Sequence, residues 1–182
     1  MTAKTFLLFM LCGAFFSSHA QDTIHLRKDI RKSIVTDRQP QALYAELGGA
    51  GVAFSVNYDR RFGDRLDGLG WRAGIGYSFD NFSRFTSLPL GINYLKGNAR
   101  LGRYFEMGVN ETLVFVAGGS HFGDAFFIND QALSGTVLVN SMHFGYRSQP
   151  PTGGFNFRAG LMPCLISGSS GMGVYFSMGF NF

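Results

Sequence analysis

The chain has two cysteines in 182 residues. Cys12 lies in an amino-terminal segment that reads as cleaved, which leaves Cys164 alone and excludes an internal disulfide. Beyond that segment no apolar run approaches the roughly 20 residues a spanning helix needs, which excludes a helical membrane protein. Mean hydropathy is only +0.07 although 46% of residues are hydrophobic, so the apolar residues are dispersed and not gathered in blocks. Charge of one sign is also scarce: 16 basic against 12 acidic residues, without clustering, gives no reason to expect a nucleic-acid partner. After cleavage three histidines remain, His25, His121 and His143, none with a second ligand at metal-binding spacing. Gly74-Ile-Gly76 lies inside an alternating run with no helix after it, so it is not a nucleotide fingerprint. No metal and no cofactor are expected.

The amino terminus has the parts of a secretory signal. Lys4 supplies the positive charge, Phe6 to Phe16 the apolar stretch, and Ser18-His19-Ala20 the small residues before a cleavage site. Leu11 stands where a lipoprotein signal would have a small residue before Cys12. The expected divisions are a signal peptide at 1–20, a polar periplasmic segment at 21–41 ending near Pro40, and one domain from 42 to 182.

What the domain has in quantity is phenylalanine (20) and glycine (25), arranged with a period of two. In the last run Val174, Phe176, Met178, Phe180 and Phe182 share one face, and Gly173, Tyr175, Ser177, Gly179 and Asn181 the other. Such alternation marks a strand. A terminal strand ending in an aromatic residue is how a bacterial outer-membrane barrel closes, so Phe176, Phe180 and Phe182 are expected to act as the assembly signal. Similar runs begin near Leu43, Val52, Trp71, Leu88, Tyr104, Leu138 and Gly154. Gly48–Gly51 is either a hairpin turn or a bulge; the even strand number of such barrels favours the hairpin and a total of eight. Pro89 is expected near a strand start or at a bulge, since it cannot donate to a ladder. Glu111 interrupts an apolar face, which calls for a bulge or a position at the membrane interface.

The faces decide between a membrane barrel and a soluble carrier barrel with a greasy lumen. One face collects Trp71, Tyr77, Phe105, Phe144, Phe155, Phe157, Phe176 and Phe180; the other collects Gly74, Gly76, Gly91, Gly108, Gly160 and Gly179. An eight-stranded barrel has room inside only for modest side chains, so the aromatic face must be outside. The expectation is an all-β, eight-stranded antiparallel transmembrane barrel with an aromatic, lipid-facing exterior and a polar, glycine-rich lumen. Tyr58, Trp71, Tyr94 and Tyr146 would form its interfacial girdles.

With these residues the chain resembles the small outer-membrane β-barrel proteins common in Bacteroidetes, with an architecture similar to the OmpA transmembrane domain. The resemblance rests on 43–62 (LYAELGGAGVAFSVNYDRRF), 88–98 (LPLGINYLKGN), 143–150 (HFGYRSQP) and 153–163 (GGFNFRAGLMP), with the terminal aromatic and the signal peptide. It implies residence in the outer membrane among lipid and lipopolysaccharide, and biogenesis through periplasmic chaperones and the barrel-assembly machinery. It implies no defined activity, and without a peptidoglycan-binding domain after the barrel no tethering role is expected.

Glu46, Arg72, Glu106 and Arg158 all fall on inward faces. Charges in a narrow lumen must pair, so these four are expected to form a network, joined by Asp59, Asp80 and Asn156. The favoured reading is a salt-bridged plug; the alternative is a small gated pore whose pairs exchange partners. Ser141 and His143 share an inward face. A lipid-modifying enzyme would use such a pair, but facing lipid and with an orienting acid, so no catalytic residue is assigned. The long connection at 117–134 carries Phe122, Phe126, Phe127 and Ile128, which either contact an extracellular partner or pack on the barrel mouth.

Overall fold

The computed structural model describes residues 40–78, 84–121, 132–166 and 169–182. Residues 1–39, which include the expected signal peptide and nearly all of the polar segment 21–41, lie outside them, as do Asp80 and the four apolar residues of 122–131.

Eight strands close into one antiparallel barrel in simple sequence order: β1 (Gln41–Gly48), β2 (Phe54–Arg61), β3 (Gly68–Tyr77), β4 (Phe85–Asn98), β5 (Arg103–His121), β6 (Ala132–Ser148), β7 (Gly154–Ile166) and β8 (Ser169–Asn181). Closure is between β1 and β8, from Ala42 opposite Asn181 to Gly48 opposite Tyr175. Gln41 and Phe182 exchange backbone hydrogen bonds of 3.0 and 3.2 Å at the seam. Closure leaves no free sheet edge. Both ends of the barrel chain meet at one rim, together with the turns at 62–67, 99–102 and 149–153; the opposite rim carries the other connections.

Alternation sorts the side chains, and the expectation that the lumen holds only modest ones is corrected: Arg61, Arg147, Arg158, Tyr44 and Tyr104 are fully buried there. Leu43, Ile75, Leu90, Ile92, Phe105, Phe155, Val174, Phe176, Phe180 and Phe182 are exposed on the outer face, while Tyr44, Glu46, Asn57, Arg72, Asn93, Glu106 and Arg158 are buried inside. Outer aromatics pack across strands, Phe157 on Phe176 at 4.9 Å and Tyr58 on Trp71 at 5.5 Å between ring centroids. Small inward residues make this possible. A Cβ on Gly108 would sit 2.5 Å from His143 Cε1, and one on Gly160 would sit 2.7 Å from Tyr175 Cε1.

Gly48–Gly51 is the hairpin connection that the even strand number favours, and it contains a short 3-10 turn (Gly49–Gly51). Several other expectations are corrected. β2 starts at Phe54, not Val52. The connection expected at 117–134 is shorter, because β5 runs to His121 with a register shift between Val116 and Ser120, and β6 restarts at Ala132. β7 reaches Ile166 and β8 begins at Ser169. Pro89 sits inside β4, not at its start. The β3–β4 ladder has a gap there, between Ala73–Leu90 and Gly76–Ser87, where the missing N–H would have been used. Pro163 does the same in β7, between the pairs Ser141–Cys164 and Phe144–Leu161. Glu111 causes no bulge: it lies opposite Leu90 and Asn140 in unbroken register, with Leu113 and Phe115 exposed beyond it.

Candidate functional site

The inward faces build a lumen of three layers, with the buried charges gathered in the middle one. At the rim that carries the termini, the β2–β3 turn tucks Leu66 against Leu95 and Tyr104, with Ala99 beside them. This accounts for a turn longer than its neighbours: the extra residues carry an apolar side chain under the barrel. Arg61 Nη1 donates to Gly68 O at 3.1 Å and ties the turn to the charges above. The Arg65–Asp67 ion pair in the same turn is exposed and adds little.

The middle layer contains three carboxylates and four guanidiniums, all buried. Arg72 grips Glu46 with both terminal nitrogens, at 2.9 and 3.4 Å. This two-pronged geometry is the strong form of the interaction. Asp59 is the hub of the rest. It takes Arg61 at 2.7 Å, Arg147 at 3.3 Å and Arg158 at 3.5 Å. Glu106 accepts from Arg147 and Arg158, each at 3.5 Å. Asn93 joins the two acids, donating to Asp59 and, at 3.1 Å, to Glu106, while Arg61 donates to its side-chain oxygen. Arg158 also lies over the Tyr44 ring, 3.7 Å from the centroid. With four cations on three anions, some donors go short: Arg158 Nη2 has no acceptor among the described residues.

Glu46, Arg72, Glu106 and Arg158 therefore all turn inward, but Glu46–Arg72 is a separate pair and Glu106–Arg158 belongs to the Asp59 cluster. Asn156 is elsewhere, donating to Asn181 Oδ1 at 2.9 Å. Arg61 and Arg147 were not assigned to the network from sequence. Arg147 lay on an inward face already, and extending the β2 alternation two residues past Asp59 would have placed Arg61.

Ser141 and His143 are buried in the lumen and do not bond to each other. Asn110 Nδ2 lies 3.3 Å from Ser141 Oγ and 3.1 Å from His143 Nδ1, bridging them. His143 Nε2 is 3.9 Å from Glu106, and its ring meets Tyr175 edge-on at 6.0 Å. No group of three or more His, Cys, Asp or Glu arranged to hold a metal occurs among the described residues.

The upper layer corrects the expectation of a uniformly polar lumen. Phe85, Val114, Val116, Val137, Val139, Met162, Cys164, Ile166 and Tyr175 form an apolar cluster inside the barrel, completed by Ala50 and Val52. The β1–β2 turn folds into the barrel as its roof. Ser87 Oγ donates to Gly51 O at 2.7 Å and Thr112 Oγ1 to Ala50 O at 2.9 Å, so its backbone acceptors are satisfied from the wall. Gly49 has φ +67, and a Cβ there would lie 2.6 Å from the Glu46 carboxyl carbon. Val52 is a β-branched residue at φ 77, a conformation costing on the order of 1–3 kcal/mol. Its burial in the cluster offsets that cost.

The barrel is similar in fold to the crystal structure of the N-terminal β-barrel domain of Pseudomonas aeruginosa OprF. The TM-score is 0.52 and the identity 13%, over 79% of this chain and 96% of that one. A crystal structure of Neisserial surface protein A (NspA) also matches, with a TM-score of 0.37 and 12% identity over 79% of this chain and 91% of that one. No protein-family model matches the chain. No curated protein matches it.

Proposed function

We propose that this protein is an integral outer-membrane barrel with a structural or surface-interaction role and a lumen closed to solutes. The observation that carries the reading is the lumen itself: a buried charge layer between a floor closed by Leu66, Leu95 and Tyr104 and an inward-folded roof. Support for the membrane location comes from the exterior. Leu43, Leu69, Ile75, Leu90, Ile92, Leu161, Val174 and Phe180 are each at least half exposed, and Phe105 and Tyr146 are exposed on β5 and β6, a surface that a barrel in water would not present around its wall. The signal peptide, with cleavage after Ala20, supports export. The sequence resemblance supports a barrel of the kind common in Bacteroidetes. On this reading the outer face meets lipid and lipopolysaccharide, Phe176, Phe180 and Phe182 guide assembly, and an extracellular partner would be met through the segment 117–134. A non-catalytic role is supported by Ser141 and His143, which are bridged by Asn110 and sealed away from lipid. The pore alternative draws on the surplus of guanidiniums, which would let Arg147 and Arg158 exchange between Asp59 and Glu106.

The test is heat modifiability of the detergent-extracted protein. A compact, fast-migrating band that slows after boiling is expected. A protein that stays soluble without detergent and shows no shift would overturn the reading. A second outcome is specific to orientation. Leu161→Arg, on the outer face between Phe144 and Val174, should cost about 2–4 kcal/mol in urea unfolding from lipid vesicles, as a charge near the bilayer centre does. A cost below about 0.5 kcal/mol, typical of a water-exposed site, would mean that this face is not in lipid.

A further inference from the structure

Among the described residues, Glu111 is the one acidic side chain on the outer face of a strand. Its surroundings are apolar along β5 in both directions: Phe105, Met107 and Val109 on one side, Leu113 and Phe115 on the other, all exposed. Leu90 flanks it on β4. On β6 its direct partner is Asn140, a polar residue flanked on the same face by Leu138 and Met142, with Phe144 and Tyr146 beyond Met142 and Thr136 beyond Leu138. Neither side chain has a hydrogen bond or ion pair among the described residues. The strand cations on this face, Arg60, Lys96 and Arg103, lie at the rim bearing the termini, several residues away along their strands. A carboxylate and an amide side by side in an apolar band are unfavourable alone, and ionisable groups at such depth mark an interaction by default.

The pair is complementary to itself. A half-turn about an axis parallel to the barrel axis, passing between β5 and β6, keeps every residue at its height and exchanges left with right. Glu111 then faces Asn140 of the second copy, and Asn140 faces Glu111 of that copy. This is the reciprocal contact that a two-fold interface demands. In that arrangement Asn140 Nδ2 of each copy would donate to the Glu111 carboxylate of the other. The apolar neighbours Leu113, Leu138, Val109 and Met142 lie above and below the two bonds. We propose that the β5–β6 outer face binds a second copy of this chain through paired Glu111–Asn140 hydrogen bonds. The proposal rests on the reading that this face lies in the membrane.

Sedimentation velocity of the full chain in density-matched detergent tests it, with flotation on phosphatidylcholine vesicles and heat modifiability run on the same samples. Wild type and Glu111→Gln, whose amide still pairs with Asn140, are expected to sediment as dimers. Glu111→Leu and Asn140→Leu are expected to sediment at half that mass while still floating and still shifting on heating, so a folding defect is separable. A wild type that floats but is monomeric overturns the dimer, as does a dimer that survives Glu111→Leu. A wild type that does not float overturns the membrane reading and this proposal with it.

Discussion

Replacing Asp59 by alanine is expected to destabilise the barrel by about 3–5 kcal/mol, the loss typical of removing one partner from a buried ion pair. Asp59 is the hub that Arg61, Arg147 and Arg158 share. Without it, Glu106 alone faces Arg147 and Arg158, and Arg61 keeps only neutral acceptors, Asn93 and Gly68 O. Urea titration of the vesicle-inserted protein, read by loss of the heat-modifiable band, should show the midpoint fall sharply. The Glu46–Arg72 pair supplies the contrast. Glu46→Leu alone should be costly because Arg72 loses the carboxylate it grips. The double variant Glu46→Leu/Arg72→Leu should recover most of the loss, since a buried pair exchanged for apolar side chains is often neutral. Equal costs for the single and double variants would mean that the pair is not isolated from the Asp59 cluster as the distances indicate.

The second large effect concerns the roof. Cys164 is the one cysteine among the described residues, and it lies in the apolar cluster beneath Ala50 and Val52. In the folded wild type it should resist a water-soluble maleimide. Ala50→Arg would put a charge with no partner into that cluster, and the turn should leave the lumen rather than bury it. Labelling of Cys164 should then accelerate roughly 100-fold, equivalent to a local opening made about 2.7 kcal/mol easier. Ala50→Gly, which adds no charge, should leave the rate close to that of wild type. Rapid labelling of the folded wild type would mean that the roof does not seal.

The strands and their faces were legible in the sequence because the barrel wall uses two different size classes. Around Trp71 and Gly74, or Phe176 and Gly179, bulky outside and small inside leave one possible orientation. The lower halves of β5, β6 and β7 read equally well. Their upper halves did not. Thr112 to Val116 is apolar or β-branched on both faces, so alternation of polarity vanishes where the lumen itself becomes apolar. Val52 looked like a strand residue for the same reason: its alternation with Phe54 is genuine, but the chain has turned inward before reaching it. What turns it is non-local, the hydroxyls of Ser87 and Thr112 waiting on β4 and β5.

The charge network was legible as a set of inward residues but not as a set of pairs. Parity places Glu46, Asp59, Arg72, Glu106, Arg147 and Arg158 in one lumen. Which carboxylate meets which guanidinium depends on height and on reach across the barrel, and these follow from the register of strands distant in sequence. Glu46 and Arg72 come from β1 and β3, Asp59 and Arg147 from β2 and β6. Glu111 shows the same limit from outside. Its outward direction was readable, but its position inside the apolar band emerged only once Leu113 and Phe115 were seen to continue the outer face.

The most direct measurement of the central claim is planar-bilayer recording of the purified, heat-modifiable protein in symmetric potassium chloride. A lumen closed by floor, charge layer and roof should give a flat current at voltages the bilayer tolerates, with wild type indistinguishable from protein-free membrane. Reproducible unitary steps from folded wild type, altered in amplitude or open time by Arg158→Ala, would contradict the sealed lumen and make the gated-pore reading the correct one.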